Sequence, residues 1–316
     1  MGPIQTPADE HWSFVDLSES TPIGTWRIVL AFPEGPLAEQ VEAVWSSEGV
    51  DCFEEQEILP RTRTEVLFCV TDRHWLREEA RGAEDLAFET SFVSGLQQKP
   101  LRVESPPNAQ MCGVRLRPAG VANFLRDTPR AIAGEVVELD GLLGPQVERL
   151  RSQVVESRDL EHRTRLLAGA VERHLAPSPP LSAAVRFGLQ SLHESDGSTP
   201  IREIVRATGF SHRYVTERFR DEIGLSPKAY ARLVRFESAF ERLQQVDSVH
   251  WAEFALDAGY YDQAHLVRDF RQLSGATPTE VFRRRSPDGL GLLNEEDTAT
   301  LRGAQDNSAS GSQARS

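Results

Sequence analysis

The chain has 316 residues, 39% of them hydrophobic, and a formal net charge of -13. That length suits two domains with a core each, and no apolar run approaches the roughly 18 residues of a membrane-crossing helix. The start, MGPIQTPADE, lacks the basic-then-apolar order of an export signal, and Cys52, Cys69 and Cys112 form no CxxC pair, so a cytoplasmic chain without membrane association, structural zinc or redox site is expected.

From residue 25 the chain reads as strands: TWRIVLAF, EVLFCV at 65–70, PLRVE at 100–104 and QMCGVRL at 110–116. These runs are short, β-branched or aromatic, and bounded by Pro, Gly and Asn. Helical spacing follows in PAGVANFL at 118–125, LLGPQVERLRSQVVES at 142–157 and DLEHRTRLLAGAVERHLA at 159–176. The expected fold is α+β: residues 1–175 form a β-rich, barrel-like domain with packed helices. The stripe Val147, Leu150, Val154, Leu160, Leu166, Leu167 and Val171 suits either its own sheet or a second subunit. APSPP at 176–180 reads as a linker. Residues 181–285 read as helical throughout, and the polar stretch 286–316 as a disordered tail.

The acidity is uneven. Residues 181–285 hold 15 Lys+Arg against 14 Asp+Glu, net +1, whereas residues 1–180 carry net -11 and the tail net -3. The near-neutral segment also contains a duplication. Glu203, Gly209 and Phe210 recur 50 residues later as Glu253, Gly259 and Tyr260. After a one-residue insertion, Val215, Phe219, Arg220, Gly224 and Pro227 recur 51 residues later as Leu266, Phe270, Arg271, Gly275 and Pro278. In each copy a short amphipathic helix ends at a glycine suited to the left-handed conformation, and a second helix follows. Its buried stripe is Val215, Phe219 and Ile223 in one copy and Leu266, Phe270 and Leu273 in the other. That pattern describes two helix-turn-helix units. A helix from about Lys228 to Leu243 joins them; at ~1.5 Å per residue it spans roughly 24 Å, which with the width of the units suits half-sites about 34 Å apart. Phe210, Tyr260, Phe219, Phe270 and Trp251 read as core.

These residues resemble the DNA-binding domain of the AraC/XylS family of transcription regulators, most closely over AGYYDQAHLVRDFRQLSGATPTEVFRR. The resemblance implies a seven-helix domain whose third and sixth helices enter adjacent major grooves of promoter or operator DNA. A looser likeness to the N-terminal half of one AraC-like subgroup runs through EILPRTRTEVLFCV, FVSGLQQKPLRV and GVRLRPAGVANFL, with Pro60-Arg61-Thr62 where that pattern has Pro-Asp-Gly. The family resemblance and the helical arithmetic select Arg213, Thr216, Glu217 and Arg220 for the first groove, and Gln263, Ala264, Val267 and Arg268 for the second. His212, His265 and Arg271 are expected at phosphates. Arg pairs with guanine, Gln with adenine, Glu with cytosine, and Ala or Val with a thymine methyl, each good pair giving about 1–3 kcal/mol of discrimination. Glu217 fits least well, because it repels phosphate unless a base or an Arg neutralises it. Arg283, Arg284 and Arg285 suit backbone contacts or simply a basic helix end.

The expected function is a DNA-binding transcription regulator, an activator that contacts RNA polymerase and works as a homodimer with a small-molecule effector. The alternative is an N-terminal interaction module without an effector. Chemistry in the first domain is the remote reading. Asp72, His74 and Glu78 make no HxH or HExxH spacing, neither a G-x-S-x-G elbow nor a phosphate loop is present, and Cys69 or Cys112 with His74 is a weak nucleophile pair. No enzyme activity, metal or cofactor is expected.

Overall fold

The computed structural model describes residues 11–50, 55–71, 74–77, 86–88, 90–106, 108–125, 129–139, 145–157, 159–175, 181–286 and 291–301. The linker expected at 176–180, Asp72, Glu78 and Cys52 lie outside them. The first part contains β1 (Trp12–Thr21), β2 (Gly24–Pro33), β3 (Val41–Val50), β4 (Glu55–Ile58), β5 (Thr64–Cys69) and β6 (His74–Arg77). It continues through β7 (Leu86–Phe88), β8 (Ser91–Ser94), β9 (Leu101–Glu104), β10 (Gln110–Leu116), α1 (Pro118–Leu125), α2 (Pro129–Ile132), β11 (Val136–Glu138), α3 (Pro145–Glu156) and α4 (Leu160–His174). The second part contains α5 (Ala183–Glu194), α6 (Ile201–Thr208), α7 (His212–Ile223), α8 (Pro227–Gln244), α9 (Trp251–Asp257), α10 (Gln263–Ser274), α11 (Pro278–Arg284) and β12 (Gly291–Leu293).

Two antiparallel sheets make the N-terminal domain, one ordered β1-β2-β3-β10-β5-β8-β11 and the other β12-β4-β9-β6-β7. Strand alternation divides their side chains between two layers. Val44, Val66, Phe68, Val93, Cys112 and Val114 face Val154, Leu167, Ala168 and Val171 of α3 and α4, while Leu67 and Met111 meet Leu76, Leu101 and Val103 of the smaller sheet. The barrel-like expectation thus takes the form of two sheets packed face to face. Of the two readings of the α3 and α4 stripe, the packing follows the first: Val154, Leu167 and Val171 are almost fully buried against their own sheet. Cys69 and Cys112 are buried thiols, and burial pushes that of Cys112 upward.

The C-terminal part holds two separate cores. Val185, Leu192, Ile204, Val215, Phe219, Ile223, Tyr230 and Leu233 form one; Phe236, Phe240, Leu243, Tyr260, Leu266, Phe270 and Val281 form the other. Helix α8 contributes to both, its first half to one and its second half to the other. The disordered tail expected from residue 286 is not found over 291–301. Strand β12 pairs with β4, Leu292 and Leu293 are buried, and the backbone is helical over 295–301. Three residues of strand give too short an apolar run to stand out from polar neighbours. Residues 302–316 lie outside the described set. Among the described residues no helix is long and apolar enough to cross a membrane.

Two predictions follow from this packing. Phe270 is fully buried and meets Phe236 edge-on at 4.9 Å. Phe270→Ala should therefore cost about 3–5 kcal/mol, seen as faster amide exchange in α9–α11 while α6 and α7 keep their protection. His193 Nε2 lies 2.9 Å from the hydroxyl of buried Tyr230, and partial desolvation on that side of an otherwise exposed ring holds its pKa below the ordinary 6.5. The unfolded chain then binds its proton at higher pH than the folded one. This contribution is complete above pH 6.5 and lost as pH falls through the depressed value. Acid denaturation of His193→Gln beside the wild type should show a shallower loss in that window.

Candidate nucleic-acid interface

Each helix-turn-helix unit is built by the same local devices. In the first, Gly209 takes φ +70° and ends α6, and the Ser211 hydroxyl caps α7 by accepting from the Tyr214 amide at 3.2 Å. In the second, Gly259 takes φ +75° after α9, and the Asp262 carboxylate accepts from the His265 amide at 2.7 Å. Left-handed backbone is open to glycine at no steric cost, and Ser and Asp satisfy the orphan amides of a helix start. Val215, Phe219 and Ile223 under α7, and Leu266, Phe270 and Leu273 under α10, are buried as their spacing requires. The seven helices α5–α11 place α7 third and α10 sixth.

The opposite faces are open. Arg213, Arg220 and His212 of α7 are exposed and Thr216 and Glu217 half-buried; on α10, Gln263, Ala264, Arg268 and Arg271 are exposed and Val267 half-buried. Arg213 and Arg268 make no ion pair among the described residues. Glu217 is neutralised by Arg220, whose guanidinium lies 2.9 Å from its carboxylate across one helical turn. The Thr216 hydroxyl lies 3.5 Å from His212 Nδ1. His265 stays with its own domain: Nδ1 accepts from the Tyr261 amide at 3.4 Å, Nε2 lies 3.7 Å from Asp269, and the ring stands edge-on to Tyr260. Asp269 also holds Arg232 of α8 at 2.8 Å.

One expectation is corrected. Phe210 is 43% exposed rather than core, stacked on Tyr214. The first turn lacks the extra residue of the second, so the aromatic after Gly209 falls directly before the helix cap, whereas Tyr260 has Tyr261 between it and Asp262 and can turn inward. The Arg283–Arg285 cluster is engaged within the chain. Arg283 pairs with Glu295, Arg284 donates to the Leu293 carbonyl and faces Glu57, and Arg285 donates to the Phe282 and Val246 carbonyls.

The N-terminal domain docks on this double unit at three places. Beside the first core, the left-handed Gly224 that ends α7 lies against α2, where a Cβ would come within 2.7 Å of the Pro129 carbonyl oxygen; Arg130 reaches Asp221 at 3.5 Å, and Leu96 joins the core itself. Beside the second core, Leu59 joins that core itself, and β4 binds β12. At the joint, Glu237 of α8 accepts from the Thr62 amide at 2.9 Å and the Thr62 hydroxyl at 2.6 Å. Arg61 and Arg63 each lie 3.7 Å from the same carboxylate, and Arg63 also binds Glu42 at 2.8 Å. Burial drives the Arg61 pKa down against the pull of Glu237. For Arg63 burial acts the same way, but Glu42, Glu65 and Glu237 outweigh it and hold that pKa up. Burial and the adjacent Glu237 raise the Glu241 carboxyl. None of these N-terminal contacts involves the outward residues of α7 and α10 named above.

Comparison with known proteins finds relatives of both parts of the chain. Residues 204–284 match a family described as a helix-turn-helix domain, and residues 31–138 match a domain of unknown function, DUF6597. The probable thc operon regulatory protein of Rhodococcus erythropolis is 24% identical over 161 residues, half of this chain and 45% of that protein's length. Among solved structures, ToxT from Vibrio cholerae superposes over 86% of this chain and 98% of its own at 8% identity, with a TM-score of 0.44. The C-terminal domain of AraT from Geobacillus stearothermophilus superposes over 36% of this chain and 91% of its own at 23% identity, with a TM-score of 0.31. Two capped helix-turn-helix units thus stand in series behind a β domain, and the residues that match the helix-turn-helix family, 204–284, span both of them.

Proposed function

We propose that the protein binds promoter DNA with α7 and α10 in successive major grooves of one duplex face, and that its N-terminal domain governs how well both helices engage at once. The observation that carries this reading is the pair of like-built units with open polar faces, joined by α8, whose 18 residues extend about 27 Å. Arg213, Thr216 and the Glu217–Arg220 pair read the first groove; Gln263, Ala264, Val267 and Arg268 read the second. His212 and Arg271 meet phosphates, and His265 holds the start of α10 in place. Activation through RNA polymerase is the mode the family resemblance implies. Recovery of bound genomic fragments followed by footprinting tests the reading: two protected blocks one helical turn apart support it, and a single block or none sinks it. In that assay Arg268→Ala should lose about 1–3 kcal/mol of preference at one base of the second block and leave the first unchanged.

Regulation runs through the joint. Because the ion pairs and hydrogen bonds between the domains use Asp221 and Glu237 and leave the groove-facing side chains alone, N-terminal docking acts as a splint that aligns the two units. A small-molecule effector or a protein partner that shifts the 59–63 loop would act on α8 through Glu237. Glu237→Gln removes the charge that Arg61 and Arg63 share, and breaking a buried pair in this way costs about 3 kcal/mol of docking. Anisotropy titrations should show the variant weaker on the two-block site and equal to the wild type on a single block. Equal affinity on the two-block site would remove the splint from this account.

A further inference from the structure

Three aromatic side chains stand in solvent at the starts of the helices that face DNA, although two complete apolar cores lie directly beneath. Phe210 is 43% exposed, Tyr214 40% and Tyr261 86%. Phe210 and Tyr261 each immediately precede a helix cap, Ser211 and Asp262. Phe210 and Tyr214 stack, with ring centroids 4.6 Å apart and planes 27° apart. Core packing requires none of the three. Tyr260, at 2% exposure, already fills the second core, so the extra residue in that turn presents another aromatic ring outward at the position where the first unit has Phe210.

Given the DNA-reading assignment, on which this inference rests, we propose that Tyr261 and the Phe210–Tyr214 stack are contacts to the DNA backbone at the lip of each groove. A reading helix enters the groove by its N-terminal residues. The residue before its cap therefore lies where the sugar-phosphate strand passes, and the helix start attracts phosphate. The rings pack on deoxyribose, and the tyrosine hydroxyls donate to phosphate oxygens. Such contacts suit a reading segment of net charge only +1 over 181–285: burial of apolar ring and sugar surface adds affinity without the counterion release that makes Lys and Arg contacts salt-dependent. They fix position and carry no base preference.

The test is binding of the full-length chain to duplexes bearing its recovered site, across a salt series, for the wild type, Tyr261→Ala, Tyr261→Phe, Tyr214→Ala and Arg268→Ala. Tyr261→Ala is expected to bind about tenfold more weakly, with the salt slope and the ranking of sites unchanged; Tyr261→Phe should regain most of the loss, and Tyr214→Ala should resemble Tyr261→Ala. Affinity equal to wild type in both alanine variants overturns the proposal, as does an altered preference at one base, which would make these residues base readers. If Arg268→Ala shifts specificity while the aromatic variants are silent, only this inference fails. If the wild type binds no duplex, the DNA-reading assignment fails with it.

Discussion

One helix belongs to two cores, and the arrangement of the C-terminal part follows from that. Tyr230, Ala231, Leu233 and Val234 at the start of α8 are buried with α5–α7, while Phe236, Ala239, Phe240 and Leu243 at its end are buried with α9–α11. A helix hydrophobic around most of its circumference has neighbours on all sides, and here they are the two helix-turn-helix units. Neither unit can rotate about the helix axis without exposing its share of these side chains. The distance between α7 and α10 is therefore set by how many residues of α8 separate the two buried groups, a quantity written directly in the sequence.

Midway along this helix sits Glu237, 8% exposed. A lone carboxylate there would be costly, and its desolvation is offset by the Thr62 amide and hydroxyl and by two guanidinium groups. Buried ion pairs of this kind add little net stability compared with an apolar replacement, but they select one arrangement over others, since each alternative packing leaves a charge without its partner. Arg61 also lies over the Phe240 ring at 4.9 Å, so the loop is tied to α8 by charge and by apolar contact at once. An aspartate at position 61 would face Glu237 with like charge, whereas Arg61 lies 3.7 Å from its carboxylate.

Much of this was legible in the sequence because it rests on local rules. The glycines at 209, 224, 259 and 275 and the stripes under α7 and α10 all lie within a turn or two of the residues they act on. Strands β2, β5, β9 and β10 were legible for the same reason, being short apolar runs between breakers. What escaped depends on contacts distant in sequence. Strand β1, WSFVDLSEST, is polar because it forms an edge whose pattern depends on its partner β2. Strand β12 exists only because β4, more than 230 residues earlier, offers an edge to pair with. The docking of Glu237 on Thr62 spans 175 residues and left no periodic trace. Of the outward residues, those on α7 and α10 followed from helical arithmetic, whereas the exposure of Phe210 depended on a single-residue difference in turn length.

Strand β12 also constrains how far the two domains can part. It pairs with the N-terminal sheet through β4, yet its Leu292 and Leu293 are buried and Leu292 lies in the core of the second helix-turn-helix unit. Arg284 reinforces the same seam, bonded to the Leu293 carbonyl at 2.8 Å and facing Glu57 of β4 at 3.4 Å. Full separation would have to break the ladder and expose both leucines together, whereas a small shift at Gly224 or Glu237 would leave the strand intact. The second unit is fastened to the N-terminal domain through this strand, whereas the first meets it through α1 and α2, which pack on α7, and through Leu96.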